Sequence, residues 1–454
     1  MNIIIAGCGR VGAMLTRQLS AEGYNITVID KNQSLLEKSV DQYDVMALAG
    51  NCASMAVLKQ AGVQTADLLI AATGEDEINL LCCTTAYSLN PKLHTIARIR
   101  NPEYTEQIHE MRDIFGLSMT INPEKQAAIE IERLLKYPGF LRRDTFAKGR
   151  TEIVELRIEE KSKLAGVSLY DLNGIVKCRV LVCAVLRDGK AITPKGNFKL
   201  LEGDRIFVTA PTENLTELLR NLGIISRPAR HVILCGGGNV GFYLAQMLSK
   251  ENIRIQLIEK DHNRCIELAT RLPKISVIEG DGTDQNLLES EHLEKCDALV
   301  TMTGSDELNM IISLYADSRG VPQIITKLGR IEYNQKLIDS LSLGSVICPR
   351  DLCCNTIVRY VRAMEHQSGA AVSVHLIADG QVEAVEFRVD KNTENCGIPL
   401  KQIRLRDDVL IVGIIHGPTA SVPNGDSKFR VGDSLIVVTG TRGSLKELND
   451  IFSD

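Results

Sequence analysis

A backbone that must approach a pyrophosphate closely needs glycines at fixed spacing, and this chain of 454 residues has them twice. The runs are Gly7-Cys8-Gly9-Arg10-Val11-Gly12 and Gly236-Gly237-Gly238-Asn239-Val240-Gly241. In each, the first glycine permits a tight turn, the second leaves no side chain where phosphates would sit, and the third lets a strand and a helix pack closely. A helix opening just after such a turn offers unpaired N–H groups and the positive end of its dipole to an anion. Downstream of each motif an acid ends an apolar run, Asp30 after Asn25–Ile29 and Glu259 after Ile255–Ile258. A carboxylate there accepts hydrogen bonds from ribose hydroxyls, which favours NAD or an adenine nucleotide. A 2′-phosphate would meet like charge and is disfavoured, although Lys31 and Lys260 follow directly and soften that preference.

The elements that must hold these residues are legible as alternating strands and helices. Ile3–Ala6 is a short apolar run of the kind buried on both faces of a parallel sheet, and Val11–Leu19 continues with helical spacing. Strands are expected at 25–30, 44–49, 68–72 and 94–98, and again at 232–235, 255–259, 276–281, 298–304 and 323–327. Loop residues pair too: Asp76-Glu77 with Asn79 answers Asp306-Glu307 with Asn309, and Glu103-Tyr104 answers Glu332-Tyr333. The repeat unit is therefore a domain pair rather than a solenoid turn. Each half reads as an α/β, doubly wound Rossmann-like domain followed by a small α+β domain. The expected boundaries are 1–122, a connecting helix at 123–150 and a small domain at 151–225. The second half follows as 230–348, a helix at 349–369 and a small domain at 370–454, with an exposed linker around Gly223–Arg230.

Ligands of such sheets bind beyond the carboxyl ends of the strands. Asn51 and Asp281 end the third strands and can meet an adenine edge; Thr73-Gly74 and Thr303-Gly304 end the fourth, near the centre of a dinucleotide. Arg10 has only Asn239 as its counterpart, and Arg98 and Arg100 stand opposite Lys327 and Gly329. Guanidinium groups suit bidentate phosphate contacts, so the first copy is expected to be the stronger anion site.

Composition closes off other classes. The length fits about three or four domains. A net charge of −5 and the lack of Trp leave no electrostatic footprint or stacking platform for nucleic acid. No uninterrupted apolar stretch approaches the roughly 20 residues that span a bilayer. The first strand runs directly into the glycine turn without a charged n-region, so a cytoplasmic location is expected. The thirteen cysteines show no CxxC pair with a nearby His. They are read as small buried hydrophobes, with no metal ligands among them. A dehydrogenase needs a proton donor or acceptor beside the nicotinamide, and none of the eight His joins an acid–base constellation. No catalytic residue is assigned, which points to binding without turnover.

With the GCGRVG run, Asp30, Gly50-Asn51, Thr73-Gly74, the Arg98–Pro102 segment and the Gly-Asp turns of the small domains, the chain resembles the regulator-of-potassium-conductance (RCK, or KTN) family. Its tandem order is similar to the Trk-type branch over essentially the whole length. The resemblance implies a regulatory subunit that binds NAD(H), or ATP or ADP, without turnover. It implies a homo-oligomeric ring, expected to be a tetramer, peripheral on the cytoplasmic face of the cell inner membrane, which gates a membrane-embedded potassium-translocating subunit. Matched to the family pattern, the first site comprises Gly7, Cys8, Gly9, Arg10, Val11, Gly12, Asp30, Asn51, Cys52, Thr73, Arg98 and Arg100. The second comprises Gly236, Gly238, Asn239, Val240, Gly241, Glu259, Asp281 and Thr303, with Asn239 and Gly329 departing from the first copy. The competing readings are an NAD-dependent oxidoreductase with tandem cofactor domains and a ligand-sensing scaffold without a membrane partner.

Overall fold

The computed structural model describes residues 1–136, 140–159, 162–222, 229–329, 341–365, 371–441, 443, 445 and 447–453. The apolar run after Met1 becomes β1 (Asn2–Ala6), the centre of a parallel sheet with β2 (Asn25–Asp30), β3 (Met46–Ala49), β4 (Leu68–Ala71), β5 (His94–Arg98) and β6 (Met119–Ile121). The strand order is β3-β2-β1-β4-β5-β6. Ile3 lies in register between Ile26 and Leu68, and Ile5 between Val28 and Ile70. These side chains are covered on both faces, which is why the strands are apolar without alternation. The helices between them are α1 (Arg10–Ala21), α2 (Gln33–Gln42), α3 (Met55–Gln60), α4 (Asp76–Leu89), α5 (Pro102–Met111) and α6 (Pro123–Lys136). Their starts are locally encoded: Asn32 Oδ1 accepts the Ser34 N–H at 3.0 Å, and Asn101 caps α5 with Pro102 in its first turn. Successive strands are added on one side of β1 as far as β3 and on the other side from β4 onward, so a crevice opens at the carboxyl ends of the parallel neighbours β1 and β4.

The second copy repeats this order with strands His231–Cys235, Arg254–Glu259, Ser276–Glu279, Ala298–Thr301, Gln323–Lys327 and Ser345–Ile347. Each sheet thus has six strands where the pattern predicts five. The sixth has only three residues, too short for a periodic signal. The two nucleotide-type domains form one compact unit. In it the Tyr243 hydroxyl donates to the Arg100 carbonyl at 3.1 Å and accepts from Asn122 Nδ2 at 3.0 Å, so the second copy's glycine-motif helix rests on the loop after β5.

The small domains form the other unit. Each is a five-stranded antiparallel sheet. The first runs, edge to edge, Lys190–Ile192, Leu181–Arg187, Arg205–Pro211, Thr151–Arg157 and Arg142–Phe146; the second is built from Ala371–Ile377, Val382–Arg388, Ser434–Thr439, Val409–His416 and Thr419–Ser421. Asp188-Gly189 makes the hairpin turn that the sequence predicts, both residues at positive φ. The sheets share an apolar core, including Phe146, Phe207, Ile377 and Ile436. One boundary moves. The helix runs over Pro123–Lys136, as its pattern predicts, but the connecting segment assigned to 123–150 also holds an edge strand, Arg142–Phe146, so the small domain's sheet begins before 151. Its two arginines and Asp144 disguise it, because Arg143 is buried and bonds Glu152 Oε2 through Nε at 2.7 Å. The helix Pro349–Glu365 agrees with expectation as far as 365. Its last four expected residues, residues 223–228 of the linker and the Glu332-Tyr333 pair lie outside the described residues.

Candidate functional site

The two glycine turns adopt one geometry. Gly7 takes φ +103° and Gly236 φ +113°, a region open to glycine and strained for other residues. A Cβ on Gly12 would lie 1.7 Å from the Gly7 carbonyl oxygen, and one on Gly241 2.3 Å from that of Gly236. These glycines are required by the fold itself. Gly9 and Gly238 differ. Each has extended backbone that any residue adopts, with nothing within 4 Å of a Cβ built there. A side chain would be sterically welcome, so the open space suits something that comes from outside the chain. Each also caps its helix without a side-chain bond, which leaves first-turn N–H groups for a ligand.

The acids latch these turns. Asp30 accepts the Cys8 N–H on Oδ2 at 2.6 Å and the Asn32 N–H on Oδ1 at 2.8 Å; Glu259 accepts from Gly237 at 2.7 Å and from Asp261 at 2.9 Å. Each carboxylate oxygen keeps a second lone pair for a ribose hydroxyl. Behind the turns, the buried Asn79 accepts from the Thr73 N–H at 2.8 Å and hydroxyl at 2.7 Å, and donates to the Arg98 carbonyl at 2.9 Å. Asn309 does the same with Thr303 and the Lys327 carbonyl. This explains the paired loop asparagines: they bind the ends of two neighbouring strands at the crevice. Asp76 and Asp306 hold the following turn through the N–H groups of Arg100 and Gly329, at 2.7 and 2.6 Å.

A cavity of about 540 Å³ opens over the first copy's crevice, in the range of about 300–1,000 Å³ usual for small-molecule sites. Gly7, Gly9, Arg10, Val11, Asp30 and Cys52 line it, together with Thr73 and Arg98. The second copy contributes as well, through Val240, Lys327, Gly329 and Arg350. Its cations are Arg10, Lys31, Arg98, Lys327 and Arg350, against the carboxylates Asp30, Glu75 and Glu124. That excess favours an anionic ligand. Arg98 bonds the Thr73 carbonyl at 3.5 Å and pairs with Glu124 at 3.8 Å, and burial pulls its pKa down. Lys327 Nζ donates to the Thr303 carbonyl at 2.7 Å, and burial lowers its pKa likewise. Arg98 Nε, Glu124 Oε2 and Arg350 Nε are buried without a hydrogen-bond partner. Unsatisfied polar atoms in a cavity wall fit a polar ligand.

The chain matches the model of the TrkA-N domain over residues 3–123 and 232–349, and that of the TrkA-C domain over 153–223 and 384–453. It is 34% identical over its full length, and that of its relative, to a Trk system potassium uptake protein TrkA homolog of Archaeoglobus fulgidus. It is 31% identical to the Trk system potassium uptake protein TrkA of Haemophilus influenzae, over 100% of this chain and 98% of the relative. The chain belongs to the TrkA family. The fold of this TrkA-family chain is also that of RCK proteins. It superposes on the GsuK RCK domain with a TM-score of 0.61 at 16% identity, over 96% of this chain and 92% of the other. With a GsuK channel bound to NAD the TM-score is 0.62 at 17% identity, over 96% and 76%. Among the described residues no helix is long and apolar enough to cross a membrane.

Not every residue matched to the TrkA pattern reaches the cavity. Cys8 and Gly12 lie beneath the turn, where burial, seconded by Asp30, pushes the Cys8 thiol up to about 11. Asn51 is exposed and accepts the Ala53 N–H at 3.2 Å. Arg100 turns away: its guanidinium holds Asp76 Oδ1 at 3.4 Å and the Gly74 carbonyl, and it lines a separate cavity of about 430 Å³ with Asn239, Arg264 and Arg271. In the second copy Asp281 binds its own loop, through the Thr283 N–H at 2.9 Å, and Val240 faces the first cavity. Glu124, Pro349 and Arg350 join the wall without any sequence signal, the last two because their position depends on how the copies pack.

Proposed function

We propose that this chain is a nucleotide-responsive regulatory component of potassium uptake, and that its first cavity binds NAD(H) without turnover. The observation that carries this reading is the open position at Gly9, in a cavity at the switch between β1 and β4 with Asp30 on its wall and a surplus of cations. The GsuK channel bound to NAD, a fold neighbour, supports the ligand class, and the uptake relatives support the process. Adenosine would lie toward Asp30, the pyrophosphate over Gly9 and the first turn of α1, and the far end toward Arg98 and Lys327. ATP or ADP can place its phosphates over the same turn, and the two ligand types would fill the far end differently.

In this reading the chain assembles as a homo-oligomeric ring, a tetramer, on the cytoplasmic face of the inner membrane and acts on a membrane-embedded potassium-translocating subunit. Nucleotides with different affinities for two ring shapes shift their populations, and a ligand binding both equally changes nothing. The test is calorimetric titration of the purified protein with NADH, NAD, ATP and ADP. It is followed by potassium flux in vesicles holding the translocating subunit. Saturable binding that alters flux, with NADH recovered unoxidised, is the expected outcome. Oxidation of NADH coupled to a substrate would instead favour the oxidoreductase reading, and binding without any effect on flux would favour a sensor with another partner.

A further inference from the structure

Most of the cysteines are buried, and burial raises their thiols: Cys235, Cys296 and Cys353 each to about 12. Cys52 is buried too, yet its thiol is shifted the other way. It follows β3, lines the cavity, and belongs to the same packed cluster as Cys82 on α4. The interaction between these two side chains outweighs burial and, helped by Lys31, holds the Cys52 thiol below its ordinary value, whereas Cys82 is raised well above. The pairing is a property of the backbone. At the matching positions of the second copy stand Gly282 and Ile312, and a Cβ on Gly282 would lie 3.7 Å from Ile312 Cδ1. The second copy therefore brings the same two positions into contact without the sulfurs.

We propose that Cys52 and Cys82 form a hydroperoxide-responsive thiol pair in the floor of the first cavity, and that their disulfide weakens nucleotide binding there. An oxidisable sensor cysteine is a thiolate open to a small oxidant, with a resolving thiol beside it. Cys52 has the cavity on one side and Cys82 on the other. In the first step the Cys52 thiolate attacks a peroxide oxygen; an S–O bond forms, the O–O bond breaks, and the departing alkoxide or hydroxide takes a proton. In the second step the Cys82 sulfur attacks the Cys52 sulfenic acid; an S–S bond forms, the S–O bond breaks, and the hydroxyl leaves with the Cys82 proton as water. Two thiols lose two electrons and one hydroperoxide is reduced. The linkage to nucleotide rests on the function proposed above. A ligand over the floor shields Cys52, and a disulfide that draws Cys52 toward Cys82 alters the floor the ligand covers; by linkage, whatever affinity the disulfide removes is the amount by which bound ligand disfavours the disulfide.

The experiment exposes the reduced, full-length protein to hydrogen peroxide and maps its peptides without reduction, with dimedone present to trap sulfenic acid. The native chain is expected to give a Cys52–Cys82 linked peptide. Cys82→Ser should give a dimedone adduct on Cys52, and Cys52→Ser should give neither. NADH at a hundred times its Kd should slow the reaction about a hundredfold, and the oxidised protein should bind NADH about fivefold or more weakly. The proposal is overturned if the partly exposed Cys178, Cys348 or Cys396 reacts ahead of Cys52, or if Cys82→Ser traps nothing. A disulfide that leaves NADH affinity unchanged also overturns it, while leaving the proposed function standing. Failure of the reduced protein to bind NADH would instead remove the proposed ligand, without touching the peptide map.

Discussion

The two nucleotide-type domains share a scaffold and differ in what they place on it. Both have a glycine at φ above +100°, an acid latching the turn through two N–H groups, and a buried asparagine joining two strand ends. The groups that would face a ligand diverge: Arg10 becomes Asn239, Cys52 becomes Gly282, and Leu35 becomes Arg264, whose Nε donates to the Gly237 carbonyl at 2.8 Å. The two copies share what backbone geometry demands and differ in the groups that would face the proposed ligand. The second copy meanwhile lends Val240, Lys327, Gly329 and Arg350 to the first cavity. The first copy thus carries the cavity, and the second supplies part of its wall.

The largest effect should fall on the shared scaffold. Gly12→Ala drives a methyl group to 1.7 Å from the Gly7 oxygen, so β1 and α1 must separate. A loss of about 3 kcal/mol is expected in urea unfolding. Gly241→Ala, at 2.3 Å, should lose less. Equal tolerance of both substitutions would break the claim that the turns are fixed by packing.

Next comes the ligand position. Gly9→Asp needs no rearrangement of the chain, since its Cβ meets nothing within 4 Å, yet it puts a carboxylate where phosphates are expected. Calorimetry should show NADH affinity falling about a hundredfold, equivalent to about 2.7 kcal/mol, with the unfolding midpoint unchanged. Gly238→Asp should leave the first cavity's affinity as it was. If Gly238→Asp proves the more damaging, the assignment of the completed site to the first copy is reversed.

The sequence makes the repeat, the strand order and the glycine, acid and threonine positions of each crevice readable, since all rest on local pattern or on one residue's backbone freedom. It hides the rest for identifiable reasons. In the strand Arg142–Phe146 the charge of Arg143 looks solvated in the sequence and is paired internally with Glu152. Arg100 lies two residues after Arg98, and the Asp76 carboxylate and the Gly74 carbonyl turn it away. Lys327 and Arg350 lie more than two hundred residues from the Gly7 turn, and no spacing rule joins them to it. The Cys52–Cys82 contact requires knowing that the loop after β3 lies over α4.

Removal of the strand-end clamps should be smaller and equal in the two copies. Asn79→Ala leaves the Thr73 N–H and the Arg98 carbonyl without their buried partner, at a cost of about 2 kcal/mol. Asn309→Ala should cost the same through Thr303 and Lys327. Urea unfolding that separates the two by more than about 1 kcal/mol would show that one clamp bears load the other does not.

The finest test concerns how each turn packs against the helix behind it. In the first copy Cys8 faces Ser39 on α2; in the second the matching positions are Gly237 and Leu268, with Leu268 Cδ1 only 2.5 Å from a Cβ built on Gly237. The two copies thus fill one space with opposite divisions of volume, a larger turn residue over a small helix residue and the reverse. Gly237→Cys alone should overpack, and Leu268→Ser alone should open a void under the buried turn. Combined, they reproduce the first copy's pairing. The double variant should therefore be more stable than the sum of the single losses allows, by about 1 kcal/mol in a double-mutant cycle. Strict additivity would mean that the turn and the helix behind it are packed independently, and that the correspondence between the copies stops at the backbone.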